Sequence, residues 1–167
     1  MKTCDNTSVG VFITDHRGRY LMFDRATFPV GAAPAAGHID DHGSARDAAR
    51  AEVEEELGLT VTGCWRDNPC RRRPGARGTG HDWTVYRATV VGDLVPSARE
   101  TKNVRWIPPV ALQELVDRTV AYAHGRVTDA EFEAEPGIEP VWVQWLADVA
   151  AVHVGPGELR QVEQLTR

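Results

Sequence analysis

The chain of 167 residues is 42% hydrophobic and 26% charged and holds five tryptophans, enough apolar surface for one folded domain and too much for a disordered chain. Its net charge of -5, from 19 basic and 24 acidic side chains, argues against non-specific binding along a nucleic-acid backbone. Cys4, Cys64 and Cys70 are an odd set with no CxxC pair, and no apolar run approaches a membrane span of roughly 18 residues, so a cytoplasmic protein without nucleic-acid or membrane partners is expected.

The first elements read as β-structure. Ser8 to Ile13 and Tyr20 to Phe23 are apolar, β-branched runs on either side of the turn Asp15-His16-Arg17-Gly18-Arg19, which predicts a β-hairpin. Phe28 to Asp40 contains Pro29, Gly31, Pro34 and Gly37, too many breakers for a regular element, so a shaped loop is expected. A helix then starts at the N-cap Ser44, buries Ala45, Ala49, Val53 and Leu57 at i+4 spacing, and stops at Gly58. Strands are expected from Leu59 to Arg66 and from Trp83 to Val91, joined by a loop with Arg71, Arg72, Arg73 and Arg77. A further strand, Val104 to Ile107, ends at Pro108-Pro109.

Helices dominate the remainder. Leu112, Leu115, Val116, Thr119, Val120 and Ala123 follow a helical period between Val110 and His124, and Gly125 stops it. Asp129 to Glu139 carries five carboxylates and no base and reads as a solvated surface. Pro140 opens a last helix with Trp142, Trp145, Leu146 and Val149 on one face, and the residues from about Val154 are expected to fray. The order of elements implies an α/β fold, with helices packed on a mixed sheet.

The helix from Ser44 to Leu57 conflicts with local electrostatics. Arg46 and Arg50 lie toward its N-terminus while Glu52, Glu54, Glu55 and Glu56 crowd its C-terminal turns, the reverse of what the helix dipole favours. Glu52 faces Glu55 and Glu56 at i+3 and i+4, each like-charge pair costing about 0.2 to 0.5 kcal/mol, and Arg50 is placed to offset Glu54 only. A divalent cation between Glu52, Glu55 and Glu56 would relieve this conflict, the other reading of such a charge run being a solvated acidic face. Oxygen-only donors suit Mg2+, with Mn2+ as the second choice, and no His lies at the spacing of a zinc site.

This cluster, with its preceding loop and trailing glycine, resembles the Nudix hydrolase signature. Gly37, Glu52, Val53, Glu55, Glu56, Gly58 and Leu59 match, whereas Gly43 and Ala51 stand where the signature has Glu and Arg. Pro34-Ala35-Ala36-Gly37-His38-Ile39-Asp40 is similar to the loop that leads into the signature, and Arg105-Trp106-Ile107-Pro108 to the family's strand-to-helix corner. The resemblance covers about residues 7–116 of a single domain, and residues 117–167 form a helical extension to it.

The resemblance implies a Nudix-type α/β/α sandwich that hydrolyses a nucleoside diphosphate linked to another group, with Mg2+ on the signature helix. By carry-over Glu52 and Glu56 are metal ligands, Glu55 is a ligand or water holder, and a backbone carbonyl of Ala36 or Gly37 completes the site. Glu52, Glu55 and Glu100 are the catalytic candidates, the general base varying within the family. The missing Glu and Arg commonly interact in similar proteins, with Asp40, Asp41 and Arg50 as the nearest stand-ins. Their joint loss raises the alternative of a degenerate Nudix domain that binds a nucleotide as a sensor or interaction module without hydrolysis.

Substrate-binding candidates lie around this cluster. Arg25 matches a position where similar proteins place a phosphate-binding base, His38 flanks Gly37, and Arg71 represents an arginine-rich loop whose forks suit phosphate oxygens. Trp83 suits either a nucleobase stack or core packing. Cys64, Cys70 and His81 match no common zinc module. The partner expected is a small nucleotide, and the second helix and the extension offer apolar faces of the kind a homodimer uses.

Overall fold

The computed structural model describes residues 6–26, 29–39, 42–66, 71–74 and 80–166. Along the chain its elements are β1 (Thr7–Ile13), β2 (Tyr20–Arg25), β3 (Ala32–Ala33), β4 (Ala35–His38), α1 (Ala45–Leu57), β5 (Thr60–Arg66), β6 (Arg71–Pro74), β7 (Gly80–Val91), β8 (Thr101–Ile107), α2 (Pro109–Ala123), α3 (Asp129–Ala134), α4 (Pro140–Asp148) and α5 (Pro156–Gln164). Among the described residues, no helix is long and apolar enough to cross a membrane.

Every residue of β1 after Thr7 is buried, as befits a strand covered on both faces and paired on both edges. One edge pairs antiparallel with β4, Gly37 opposite Val9, and the other parallel with β7, Trp83 opposite Ser8. β5 and β6 both pair antiparallel with β7, giving a mixed sheet in the order β4-β1-β7-β5 with β6 also on β7. A second sheet, β3-β2-β8, stands beside it.

Several expectations are corrected here. β1 and β2 are joined by the expected turn, with Asp15 accepting the backbone N–H groups of Arg17 and Arg19 at 2.9 Å, but they do not form a hairpin. β4 and β7 occupy both edges of β1, so beyond one bridge, Thr14 to Tyr20, β2 pairs with β3 and β8 instead. The breaker-rich stretch after Pro29 contains β3 and β4, whose small residues tolerate close backbone approach. Arg71 to Arg73 belong to β6 rather than to a loop, while Arg77 and Cys70 lie outside the described residues.

Helices cover both faces of the main sheet, completing an α/β/α sandwich. On one face, Val9, Val11 and Ile13 pack with Ala48, Ala49, Val53 and Leu57 of α1. On the other, Phe12, Trp83 and Val85 meet Leu112 and Val116 of α2 and Trp142, Trp145 and Leu146 of α4. The Trp142 ring stands edge-on to Phe12 and Trp83 at 5.9 and 5.1 Å. Residues 155–166 are not frayed, because Pro156 at the first turn and Glu158, which accepts the Gly155 N–H at 2.8 Å, start α5, and Val162 buries it.

The acidic run from Asp129 is not all surface either. Thr128 and Glu131 form a capping box for α3, and Phe132 is buried. At the end of the run Glu139 is only 2% exposed. Ala32 donates its N–H to Gly137 at 2.8 Å and accepts that of Glu139 at 3.0 Å, so residues 137–139 lie along β3. Gly31 makes room for them. Its φ of +139° suits glycine, and a Cβ there would overlap the Glu139 backbone.

Candidate active site

Local sequence fixes the orientation of α1. Ser44 Oγ accepts the Asp47 N–H at 3.1 Å, and Gly58, in the left-handed region at φ 69°, donates to Glu54 at 2.9 Å to close the helix. Gly43, at φ 81°, provides the left-handed turn just before this cap, a conformation that a glutamate would adopt only with strain. Arg50 reaches Asp47 at 3.9 Å rather than Glu54. Asp40 and Asp41 lie outside the described residues.

With Ala49, Val53 and Leu57 anchored in the core, Glu52 and Glu56 turn toward β4. Glu56 Oε2 accepts the Ala36 N–H at 3.0 Å, and the Glu52 carboxylate packs so closely on Gly37 that a Cβ there would overlap it. The loop after β7 wraps the end of α1. Val95 and Ser97 donate their N–H groups to Leu57 and Glu56, each at 2.9 Å, and the loop then turns to present Arg99 and Glu100. Glu100 is held in turn by the Ala26 N–H, at 3.2 Å.

These elements enclose a cleft of about 370 Å³ lined by Phe23, Arg25, Ala36, Glu52, Glu55, Glu56, Arg99 and Glu100. Burial, reinforced by the charges of Glu55 and Glu100, pushes the Glu52 carboxyl up to about 7. Burial pushes Glu56 up to about 8, with Glu52 and Glu100 adding to it and the Ala36 N–H and Arg25 opposing it. The cleft thus crowds carboxyl groups whose ionisation is costly, and Arg25 only partly offsets that cost.

The donor set fits a hard divalent cation. It is all oxygen, Glu56 is braced by a backbone N–H, and Mg2+ characteristically takes one or two carboxylates and completes its shell with water and substrate phosphate. Among the described residues no group of three or more His, Cys, Asp or Glu side chains is placed to hold a metal ion together, so a cation here would draw most of its shell from water and substrate.

Of the residues singled out from the sequence, Arg25, Ala36, Glu52, Glu55, Glu56 and Glu100 line the one cleft, and Gly37 touches it through Glu52. His38 and Trp83 do not line it. The His38 ring lies 5.2 Å from that of His81, which bonds Ser8 Oγ at 2.8 Å, and Trp83 is buried edge-on against Trp142. The backbone of Arg71 pairs with Trp83, and its side chain lies outside the described residues. Arg99 and Phe23 complete the lining. Arg99 sits in a loop with no periodicity to mark it, and adjacency to Glu100 was the only signal.

Comparison with known proteins agrees with this architecture. The profile of the NUDIX domain matches residues 5–130. The fold is similar to that of a MutT protein from Methanosarcina mazei Go1, with a TM-score of 0.63 at 15% identity over 90% of this chain and 96% of that one. It is also similar to a NUDIX family hydrolase from Clostridium perfringens, with a TM-score of 0.56 at 23% identity over 67% and 87% of the two chains. The NUDIX domain of Shewanella oneidensis NrtR, solved with ADP ribose, gives a TM-score of 0.57 at 15% identity over 68% and 79%. No curated protein matches the chain by sequence.

Proposed function

The chain belongs to the Nudix family, and from that premise we propose that it is a Mg2+-dependent pyrophosphohydrolase acting on a nucleoside diphosphate linked to another group. The observation that carries this reading is the cleft itself, where α1 presents Glu52, Glu55 and Glu56 toward Arg25, Arg99 and Glu100. A structural helix gains nothing from burying carboxylates that repel one another, and a diphosphate with its cation supplies the missing positive charge and the anion for the arginines.

In this reading Glu52 and Glu56 hold the cation, together with a backbone carbonyl of Ala36 or Gly37. A cation held there would neutralise diphosphate charge and make a nearby water a better nucleophile. Glu55 and Glu100, exposed on α1 and on the facing loop, keep the solvent access needed to orient a water and pass its proton on. Arg25 and Arg99 grip phosphate oxygens and orient the scissile anhydride. ADP ribose, bound by the Shewanella domain, belongs to this substrate class.

The test is chromatographic detection of the mononucleotide products formed from nucleoside triphosphates, nucleotide sugars, ADP-ribose and diadenosine polyphosphates, with Mg2+ and with chelator. Turnover that needs the metal is expected. Retained nucleotide binding without turnover of any member would replace the hydrolase by the binding-module reading that Gly43 and Ala51 raise.

Gly37→Ala is expected to lower kcat/KM about a hundredfold, because its methyl displaces the Glu52 carboxylate from its seat on β4. Steady-state kinetics beside a melting curve checks this. A fully active variant would show that the Glu52–Gly37 contact is dispensable.

A further inference from the structure

Glu139 lies outside the stretch matched by the NUDIX profile, on the segment that leads from α3 into α4. Yet it reaches the wall of the cleft from behind. Its carboxylate, almost wholly buried, stands 3.6 Å from Arg25 Nη1, while the Arg25 side chain is 30% exposed and lines the cleft. The guanidinium therefore spans two environments, one end against a buried carboxylate and the rest open to the cleft. It also feels the charge of Glu56 across the cleft.

Two features indicate that this arrangement is built. Residues 137–139 are fastened to β3 by paired backbone hydrogen bonds, and Gly31 is shaped to admit the Glu139 backbone. The pair is also an inefficient way to stabilise a fold. Buried ion pairs often match or fall short of apolar replacements, and the Glu139 carboxylate is desolvated with Arg25 and the Trp142 side chain as its polar neighbours.

We propose that Glu139 is a positioning residue for the cleft, anchoring the Arg25 guanidinium from behind so that its open face grips substrate phosphate instead of collapsing onto the carboxylates of α1. The C-terminal segment thereby takes part in substrate recognition without touching the substrate. This inference rests on the diphosphate-binding reading of the cleft.

The test is a double-mutant cycle with Glu139→Gln, Arg25→Ala and the pair, reading KM and kcat on the best substrate of the panel. A parallel cycle reads the dissociation constant of the α,β-methylene analogue of ADP, with Mg2+, by calorimetry. Glu139→Gln is expected to raise KM and the dissociation constant about fivefold with kcat within about twofold, and to add almost nothing in the Arg25→Ala background. A purely structural role would lower kcat and melting temperature alike in both backgrounds, which overturns the proposal, as does an unchanged KM. If Glu139→Gln does not fold, Glu139→Asp, which keeps the charge but draws it back from Arg25 by one methylene, takes its place and must raise KM in the wild-type background but not in the Arg25→Ala background. Failure of the hydrolase reading is distinguishable, because the wild type would then be inert while the binding cycle still reports on Glu139. A wild type that neither turns over nor binds overturns both.

Discussion

Glu56→Gln is expected to lower kcat about a thousandfold, equivalent to about 4 kcal/mol of transition-state stabilisation, while KM changes by less than about fivefold. The amide keeps the shape of the carboxyl, and its oxygen still accepts the Ala36 N–H that Glu56 accepts at 3.0 Å, so the end of α1 stays in place against β4. What it removes is the negative charge on the most deeply buried carboxylate of the cleft. A neutral oxygen is a poor partner for Mg2+, and the charge needed to hold the cation against the diphosphate is gone. Substrate grip depends more on Arg25 and Arg99, which the substitution leaves alone, so the loss falls on kcat. Steady-state kinetics over a range of Mg2+ decides the matter. Activity within about tenfold of wild type at saturating metal would remove Glu56 from the catalytic machinery and shift the role to Glu52.

The helix that carries this chemistry was legible in the sequence because its signals are local. Ser44 caps it, Gly58 ends it, and Ala49, Val53 and Leu57 mark the buried face, which leaves Glu52 and Glu56 no direction but β4. The signature residues bridged the remaining distance by placing the loop at Ala36 and Gly37 beside them. What could not be read was pairing at long range. Nothing near the Asp15 turn says that β1 will give both edges to β4 and β7, so the apparent hairpin separates into two sheets. Arg71 to Arg73 look like a charged loop, yet opposite β7 the same residues extend as a strand.

Glu139 shows the same limit at the site. In sequence it closes an acidic run, and the capped, partly solvated α3 before it behaves as such a run should. Its placement is set by Ala32, which accepts its N–H, and by Gly31, which leaves room for its backbone, more than a hundred residues earlier. The one local hint was its place between Ile138 and Pro140, at the mouth of a tryptophan-rich helix.

The second large effect concerns stability, and it carries the opposite sign to most carboxylates in proteins. Glu52 and Glu56 have folded-state pKa values raised from 4.5 to about 7 and about 8, and Glu139, against its Arg25 partner, is raised by burial to about 7. Between the ordinary and the raised values the folded protein binds more protons than the unfolded chain, so stability falls as pH rises. No penalty exists below about 4.5, and it is complete above about 8. For Glu56, only 9% exposed, the cost is on the order of 3 to 5 kcal/mol, which is a fall of about 10 °C in melting temperature for a chain of this size. Metal-free protein is therefore expected to melt progressively earlier from about pH 5 to about pH 8. Millimolar Mg2+ should recover most of this loss, since a cation that binds ionised Glu52 and Glu56 favours the folded state. Glu56→Gln should make the metal-free profile shallower, leaving the part due to Glu52 and Glu139, and blunt the response to Mg2+, becoming more stable than wild type at high pH even as it loses activity. Glu139→Gln should leave the Mg2+ response intact, because Glu139 pairs with Arg25 rather than with the cation. Melting curves across this pH range, with Mg2+ and with chelator, separate the three carboxylates. A metal-free profile that is flat in the wild type would mean that the α1 carboxylates are already neutralised from within the protein, and the case for a cation between them would fall.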